Sequence, residues 1–426
     1  MSVASPGPEA TTTDPPGGRG LPGLREHRLL PLLSTLVLSA VVLFLFWSAL
    51  SSVFLALQVK QLDPEGAAGG LAKVLAVGAI GALVSAPLAG ALSDRTRSRI
   101  GGRGPWMLGG AVVTLVLAVL IGRASSTTEL MVYWTLVQAS TNFIFTPLLV
   151  HIPERVPLAR RGIFSAGLGL SHLAGMLLGS AVGAVFAKRL VVGYLVVSVL
   201  LVVAVTVFVL VNRRSNVGVP TPAFRLVPLL KTFWVNPVKH PAFGLVFLGR
   251  FLFMTGFFPT TVYLLYVLQD YLGLGEAAVS RLPAISLASM IGSLIGTPLA
   301  GWLTDRLGAT RPLIYLSSAI MVVAFVLPLV FPTFLGLLAY SFLVGLGFAS
   351  FGAVDYVLIT KVLPSQDDAG KDLGIINMTT TLSQTLGVGV AGALIGAVGS
   401  YAVLFPLGIV LVSLSAVCVM LIRNVR

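Results

Sequence analysis

Charge is the scarcest commodity in this chain. Only 10% of its 426 residues are Asp, Glu, Lys or Arg, while 56% are hydrophobic. A soluble domain carries roughly 25% charged residues, so these few charges cannot cover a solvated surface. Cysteine is nearly absent: Cys418 stands alone, which excludes an intramolecular disulfide and a cysteine metal cluster. Enzyme motifs are missing as well. There is no Gly-x4-Gly-Lys loop, no His-Glu-x2-His and no convincing triad. No enzymatic role, cofactor or metal is therefore expected.

Long apolar runs are abundant, such as Leu29–Leu57, Leu190–Val211 and Tyr401–Ile422. Runs near 20 residues match the ~30 Å hydrocarbon core of a bilayer. The pattern predicts twelve spans: 29–57, 71–93, 105–123, 129–150, 163–186, 190–211, 242–268, 282–304, 312–331, 333–358, 374–397 and 399–422. The fold class expected is an all-α integral membrane protein. Residues 1–28 read as a disordered tail rich in Pro, Gly, Thr and Ser. The first apolar run is too long for the h-region of a signal peptide, so it is read as a span.

An even number of spans puts both termini on one side, and charge says which. Loops on the terminal side hold 21 Lys and Arg residues, loops on the opposite side hold 6, and Arg250 falls within the seventh span. Positive charge is retained in the cytoplasm. Both termini and the 213–241 linker are thus expected to be cytoplasmic, in a multi-pass protein of the plasma membrane. The formal net charge of +13 then reads as a topology signal, and no nucleic-acid partner is expected.

An internal repeat divides the chain. Pro87-Leu-Ala-Gly-Ala-Leu-Ser-Asp94-Arg95 is matched 211 residues later by Pro298-Leu-Ala-Gly-Trp-Leu-Thr-Asp305-Arg306. The same offset relates Gly81 to Gly292 and Pro153 to Pro364, and an offset of 212 relates Gly175 to Gly387 and His172 to Gln384. The repeat predicts two six-helix bundles, 29–212 and 242–426, around a central cavity. It also argues against a channel or a receptor. Gly90–Arg95 and Gly301–Arg306 resemble the signature loops of the major facilitator superfamily. The longer string Asp94-Arg-Thr-Arg-Ser-Arg-Ile-Gly-Gly-Arg103-Gly-Pro105-Trp106 is similar to the glycoside–pentoside–hexuronide:cation symporters and the sucrose–proton symporters. So is Val362-Leu-Pro364 through Lys371-Asp372-Leu-Gly374.

The resemblance implies gating roles. Asp94 would sit near the start of the eleventh helix and Asp305 near the start of the fifth, braced by Arg95, Arg99 and Arg306. A carboxylate facing a helix N-terminus is stabilised by the helix dipole, and a contact made only in one state biases the equilibrium between states. The bland alternative is a pair of tight turns with topology-setting arginines.

Inside the spans, Arg250 lies eight residues into the seventh, about 12 Å deep, and Asp355 lies at similar depth in the tenth. Buried charges are expensive and are usually paired, so the two are candidates for a coupling pair or a structural one. The resemblance places both helices beside the central cavity. His172 is a titratable side chain near mid-membrane, with Gln384 as its repeat partner. The two could bind a polar solute from both halves or simply bond neighbouring helices. Gln138, Asn142 and Thr146 share one face of the fourth helix, which would line the cavity or join two helices. Gly175, Gly179 and Gly183 form a ridge for close helix approach.

The expected function is secondary active transport of a small polar solute, with sugars and glycosides as candidates, driven by protons through a monomer in the lipid bilayer. The resembling sodium-coupled symporters use carboxylates within helices two and four. Here the second helix has no acid before Asp94, and the fourth has only Glu129 at its outer end. Sodium coupling is therefore not expected, and a proton or no coupling ion takes its place. The alternatives are export of a small hydrophobic natural product or drug, and a membrane sensor that does not transport. The resemblance weakens the exporter reading: drug–proton antiporters of the superfamily carry a Gly-Pro pair in the fifth helix, and here Ser180 follows Gly179. For topology, reporters fused after Arg426 and near Lys231 should read cytoplasmic, and one near Glu276 external. The same side from Lys231 and Glu276 would contradict twelve spans.

Overall fold

The computed structural model describes residues 29–215, 241–307, 311–362 and 379–421. The expected tail, most of the linker and the 363–378 loop lie outside these. In lipid a backbone amide finds no water, so a spanning segment must satisfy its own hydrogen bonds, as a helix does. The described residues contain no strand.

Among the described residues twelve long helices follow one another: α1 (Leu29–Leu62), α2 (Ala67–Arg95), α3 (Gly104–Gly122), α4 (Thr127–Arg155), α5 (Arg161–Phe186), α6 (Leu190–Asn212), α7 (Pro241–Val262), α8 (Ala277–Leu307), α9 (Arg311–Val330), α10 (Phe334–Val362), α11 (Thr379–Val398) and α12 (Tyr401–Met420). A short helix, Leu264–Tyr266, and a π-turn, Val267–Tyr271, extend α7. Eleven of the twelve are long and apolar enough to cross a membrane. The remaining one, α4, is long enough at 29 residues but is diluted by Gln138, Asn142, His151 and charges at both ends. Local chemistry marks the helix ends. The Ser126 hydroxyl accepts from Glu129 N at 3.2 Å, while Glu129 accepts from Ser125 N at 2.8 Å, a capping box shifted by one residue. At the end of α11, Gly399 adopts φ +72°, the left-handed cap that favours glycine.

The packing repeats itself. In the first six helices α1 lies against α5 and α6, α2 against α4, and α3 against α4 and α6. In the second six α7 lies against α11 and α12, α8 against α10, and α9 against α10 and α12. The contacts between halves obey the same symmetry, α5 on α8 and α11 on α2. Glycines of the repeat sit at matching crossings. A Cβ at Gly81 would lie 2.7 Å from the Thr135 carbonyl of α4, and one at Gly292 would collide with the Phe342 carbonyl of α10. Likewise Gly175 meets the Val41 carbonyl of α1 at 2.9 Å, and Gly387 the Thr255 carbonyl of α7 at 3.1 Å. The outer surface carries large exposed apolar side chains such as Val112, Val116, Val203, Leu210 and Val323, the face suited to lipid. The all-α membrane fold with two related six-helix bundles is the one the sequence predicts.

Gly292→Ala should destabilise the protein by about 1–3 kcal/mol, because backbone rather than a flexible side chain blocks the added methyl. Gly389→Ala, which meets nothing within 4 Å, should cause no loss. Thermal unfolding in detergent of both variants checks this.

Candidate functional site

One pair of charges lies deep in the second half. Arg250 of α7 forms an ion pair with Asp355 of α10, whose side chain is only 3% exposed. The guanidinium also donates through Nε to Thr379 Oγ1 at 3.1 Å and through Nη2 to Thr380 Oγ1 at 3.5 Å, both on α11. An aromatic ladder continues the α7–α10 contact: Phe253 stacks on Phe351 at 3.6 Å and 7°, and Phe257 on Phe348 at 4.1 Å and 25°. The guanidinium is thus held by one buried carboxylate and two threonines, in a place where an unpaired ion would be costly. Thr379 and Thr380 escaped the sequence reading, although the Thr379-Thr380-Thr381 run stands out at the start of an apolar span.

His172 and Gln384 occupy equivalent places on α5 and α11, and both side chains are exposed. His172 meets Phe44 of α1 edge-on at 4.8 Å and 88°. The preceding residues fasten each helix to its neighbour: Ser171 donates to Val37 O of α1 at 3.3 Å, and Ser383 to Phe251 O of α7 at 2.8 Å. No described hydrogen bond joins His172 or Gln384 to Arg250 or Asp355. The α4 stripe faces α2. Asn142 donates to Ala82 O at 3.1 Å and to Ser85 Oγ at 3.0 Å. Gln138 lies beside Gly78 and Thr146 beside Gly90, and Gln138 Oε1 is buried without a partner among the described residues.

In the last turn of α2, Asp94 pairs with Arg103 of the following loop at 3.0 Å, and Arg103 also pairs with Glu154 of α4. Burial disfavours the Arg103 charge, but Glu154 and then Asp94 more than offset it, so its pKa is raised above the ordinary arginine value. Asp94 is therefore held by its own half. The start of the eleventh helix and the Asp305 side chain lie outside the described residues, so their expected meetings are not seen. Arg306 stacks over Trp302 at 5.1 Å, Arg99 is exposed and Arg95 half-buried. Glu154 gives no signal in sequence, because it sits between Pro153 and Arg155 where the pattern predicts a loop.

The two halves close on each other at the end of the bundle away from Leu29 and Leu421, here the distal end. Lys60 pairs with Asp270 at 2.6 Å, donates to Gln269 Oε1 at 3.1 Å and lies 5.5 Å over the Tyr266 ring. Tyr266 donates to Ala56 O at 2.7 Å and Tyr263 to Ala68 O at 3.1 Å. Below this closure a cavity of about 90 Å³ lies between the halves. Hydroxyls line it from α1 (Ser48, Ser52), α5 (Ser180), α7 (Thr260, Thr261), α8 (Ser286, Ser289) and α10 (Tyr340, Ser341). Most serines in these helices return their proton to a backbone carbonyl, as Ser180 does to Leu177 O at 2.8 Å. Ser52, Thr261, Ser286 and Ser289 have no such partner among the described hydrogen bonds. Four free hydroxyls converging on one cavity have donors and acceptors to offer a solute or water.

Removing one partner of a buried pair leaves an uncompensated charge and costs about 3–5 kcal/mol, whereas replacing both is close to neutral. Arg250→Ala and Asp355→Ala should each lower the detergent Tm strongly, and the double variant should recover most of the loss.

A model of the Major Facilitator Superfamily matches residues 36–293 and 246–426. No protein of curated function matches the chain. In fold it is similar to the nucleoside transporter NupG, with TM-score 0.71 and 13% identity over 91% of this chain and 97% of that one. It is also similar to a bacterial homolog of the human lysosomal transporter Spinster in its inward-facing, unoccupied conformation. There the TM-score is 0.67 at 14% identity, over 94% of this chain and 95% of that one. A peptide transporter, POT, in complex with sulfate gives TM-score 0.69 at 13% identity, over 92% and 93%. With both halves matched by the family model, the chain belongs to the Major Facilitator Superfamily.

Proposed function

We propose that this protein is a secondary active transporter that carries a small, uncharged, hydroxyl-bearing solute, a sugar or glycoside, together with protons. The observation that carries this reading is the cavity between the halves. Its free hydroxyls, Ser52, Thr261, Ser286 and Ser289, come from both halves, and no charged side chain is among its lining residues. Such a lining supports a solute that hydrogen-bonds without carrying charge. The resemblance of Asp94–Trp106 to the glycoside–pentoside–hexuronide and sucrose–proton symporters points to the same solute class.

The cavity is shut at the distal end by Lys60–Asp270 and the two tyrosines, which we take as the extracellular side, with both chain termini in the cytoplasm of a plasma-membrane protein. Alternating access then exchanges this closure for one at the other end, where Asp94 and Asp305 act as gate residues. Arg250 and Asp355 are the coupling pair in this scheme. A proton taken by the Asp355 carboxylate removes the negative charge facing Arg250. The guanidinium keeps its threonine contacts on α11 and loosens from α10, so protonation changes how α7, α10 and α11 fit together. His172, on the cavity face of α5, and Gln384 supply polar contacts from either half.

The test is uptake into proteoliposomes with an imposed pH gradient, using a panel of sugars and glycosides. Solute should accumulate in the direction of proton flow. The stable Arg250→Ala, Asp355→Ala double variant should equilibrate solute without accumulating it. Accumulation against proton flow would make the protein an exporter by exchange, and no movement of any compound would favour a sensor.

A further inference from the structure

The hydroxyl-lined cavity is continued by an aromatic platform. On α1, Phe44, Ser48 and Ser52 follow one another at four-residue steps, so they share a stripe. On α5 the same holds for His172, Met176 and Ser180. Ser48, Ser52, Met176 and Ser180 line the cavity, and one turn further from the distal end each stripe ends on a ring. There Phe44 and Trp47 meet Phe145 of α4, with centroids 5.8 and 5.3 Å apart and planes at 74° and 75°. His172 closes the group against Phe44. The Trp47 ring is oriented by its Nε1 donation to Thr141 Oγ1 at 3.2 Å. From the other half Phe257 lines the cavity and is backed by Phe348.

These rings differ from ordinary core aromatics. Phe54, Phe208 and Phe325 are at most 1% exposed, whereas Phe44, Trp47 and Phe145 are half-buried and His172 is exposed. Each edge-to-face contact covers one face of one ring, and the faces left open on these partly exposed rings take planar groups well. A four-residue step along a helix is about 6 Å, near the spacing of two linked rings. Two chemically distinct surfaces therefore lie one ring apart, hydroxyls toward the distal closure and aromatic faces below them.

We propose that the solute is a glycoside of a planar aglycone, bound with its sugar among Ser52, Thr261, Ser286 and Ser289 and its aglycone on Phe44, Trp47, Phe145 and His172. This rests on the transport reading above, which needs only the hydroxyl chamber. A free sugar uses half of the site. A planar molecule without hydroxyls uses the other half and leaves the four hydroxyls facing apolar surface, which is unfavourable.

Ligand-induced rises in Tm of the purified full-length protein give the affinities. The probes are phenyl glucoside, phenyl galactoside, phenyl xyloside and uridine, each paired with its free sugar, and phenol. At least one glycoside should bind about tenfold more tightly than its sugar and than phenol, a margin typical of one ring stacked on an aromatic side chain. Phe44→Ala should erase that margin and leave free-sugar affinity unchanged, while Ser286→Ala with Ser289→Ala should weaken sugar and glycoside alike. Phe145→Leu repeats the test should Phe44→Ala fail to fold. A sugar that binds as well as its glycoside, with no effect of Phe44→Ala or Phe145→Leu, overturns the aglycone platform and leaves the polar-solute reading intact. Silence from every pair overturns both.

Discussion

Charge inside a bilayer must be answered by charge or by water, and that constraint organises this molecule. It accounts for the scarcity of Asp, Glu, Lys and Arg, for their confinement to helix ends, and for the depth at which Arg250 and Asp355 find each other. The pair joins α7 to α10, and Thr379 and Thr380 bring α11 to the same guanidinium. Three helices of one half thus depend on a single ion pair. A change of charge there is felt by all three, because a buried ion without its partner is among the most destabilising things a packed interior can hold.

Movement of the halves needs rigid bodies and a few deformable points. The rigidity comes from close helix crossings at Gly81, Gly175, Gly292 and Gly387, where an added Cβ would meet a backbone carbonyl of the neighbouring helix. The deformable points are visible as well. π-turns interrupt α1 at Leu50–Phe54, follow α7 at Val267–Tyr271 and interrupt α11 at Ser383–Gly387. Single π-turns within α-helices recur at functional sites. Here they adjoin the distal closure, the cavity serines of α1 and the Gln384 position.

The sequence made the architecture legible because lipid imposes a length and a polarity on every span. The expected ends differ from the observed ones by a few residues: hydropathy predicts the first span to Leu57, and α1 continues to Leu62. An inserted π-turn leaves composition unchanged, so hydropathy cannot see it. Arg250 and Asp355 were legible for the same reason that they matter, being charged residues in apolar runs. Glu154 was not, since its neighbours Pro153 and Arg155 read as loop, and its bond to Arg103 exists only once α4 extends to Arg155. The cavity was invisible in one dimension. Serines such as Ser317 and Ser341 bond their own helix, and nothing in sequence separates them from Ser286 and Ser289, which do not. The α4 stripe of Gln138, Asn142 and Thr146 left two readings open, and its contacts are with α2.

The central claim is that the two halves rock as bodies, so that opening the distal end closes the other. Distances from double electron–electron resonance test it directly. Nitroxides at Glu65 and Glu276 span the distal end, and a second pair at Arg99 and Arg306 spans the opposite end, both in a Cys418→Ala background. Breaking the distal closure with Lys60→Ala and Asp270→Ala should lengthen the Glu65–Glu276 distance and shorten the Arg99–Arg306 distance together. Lengthening at both ends, or a change at the distal end alone, would contradict the account.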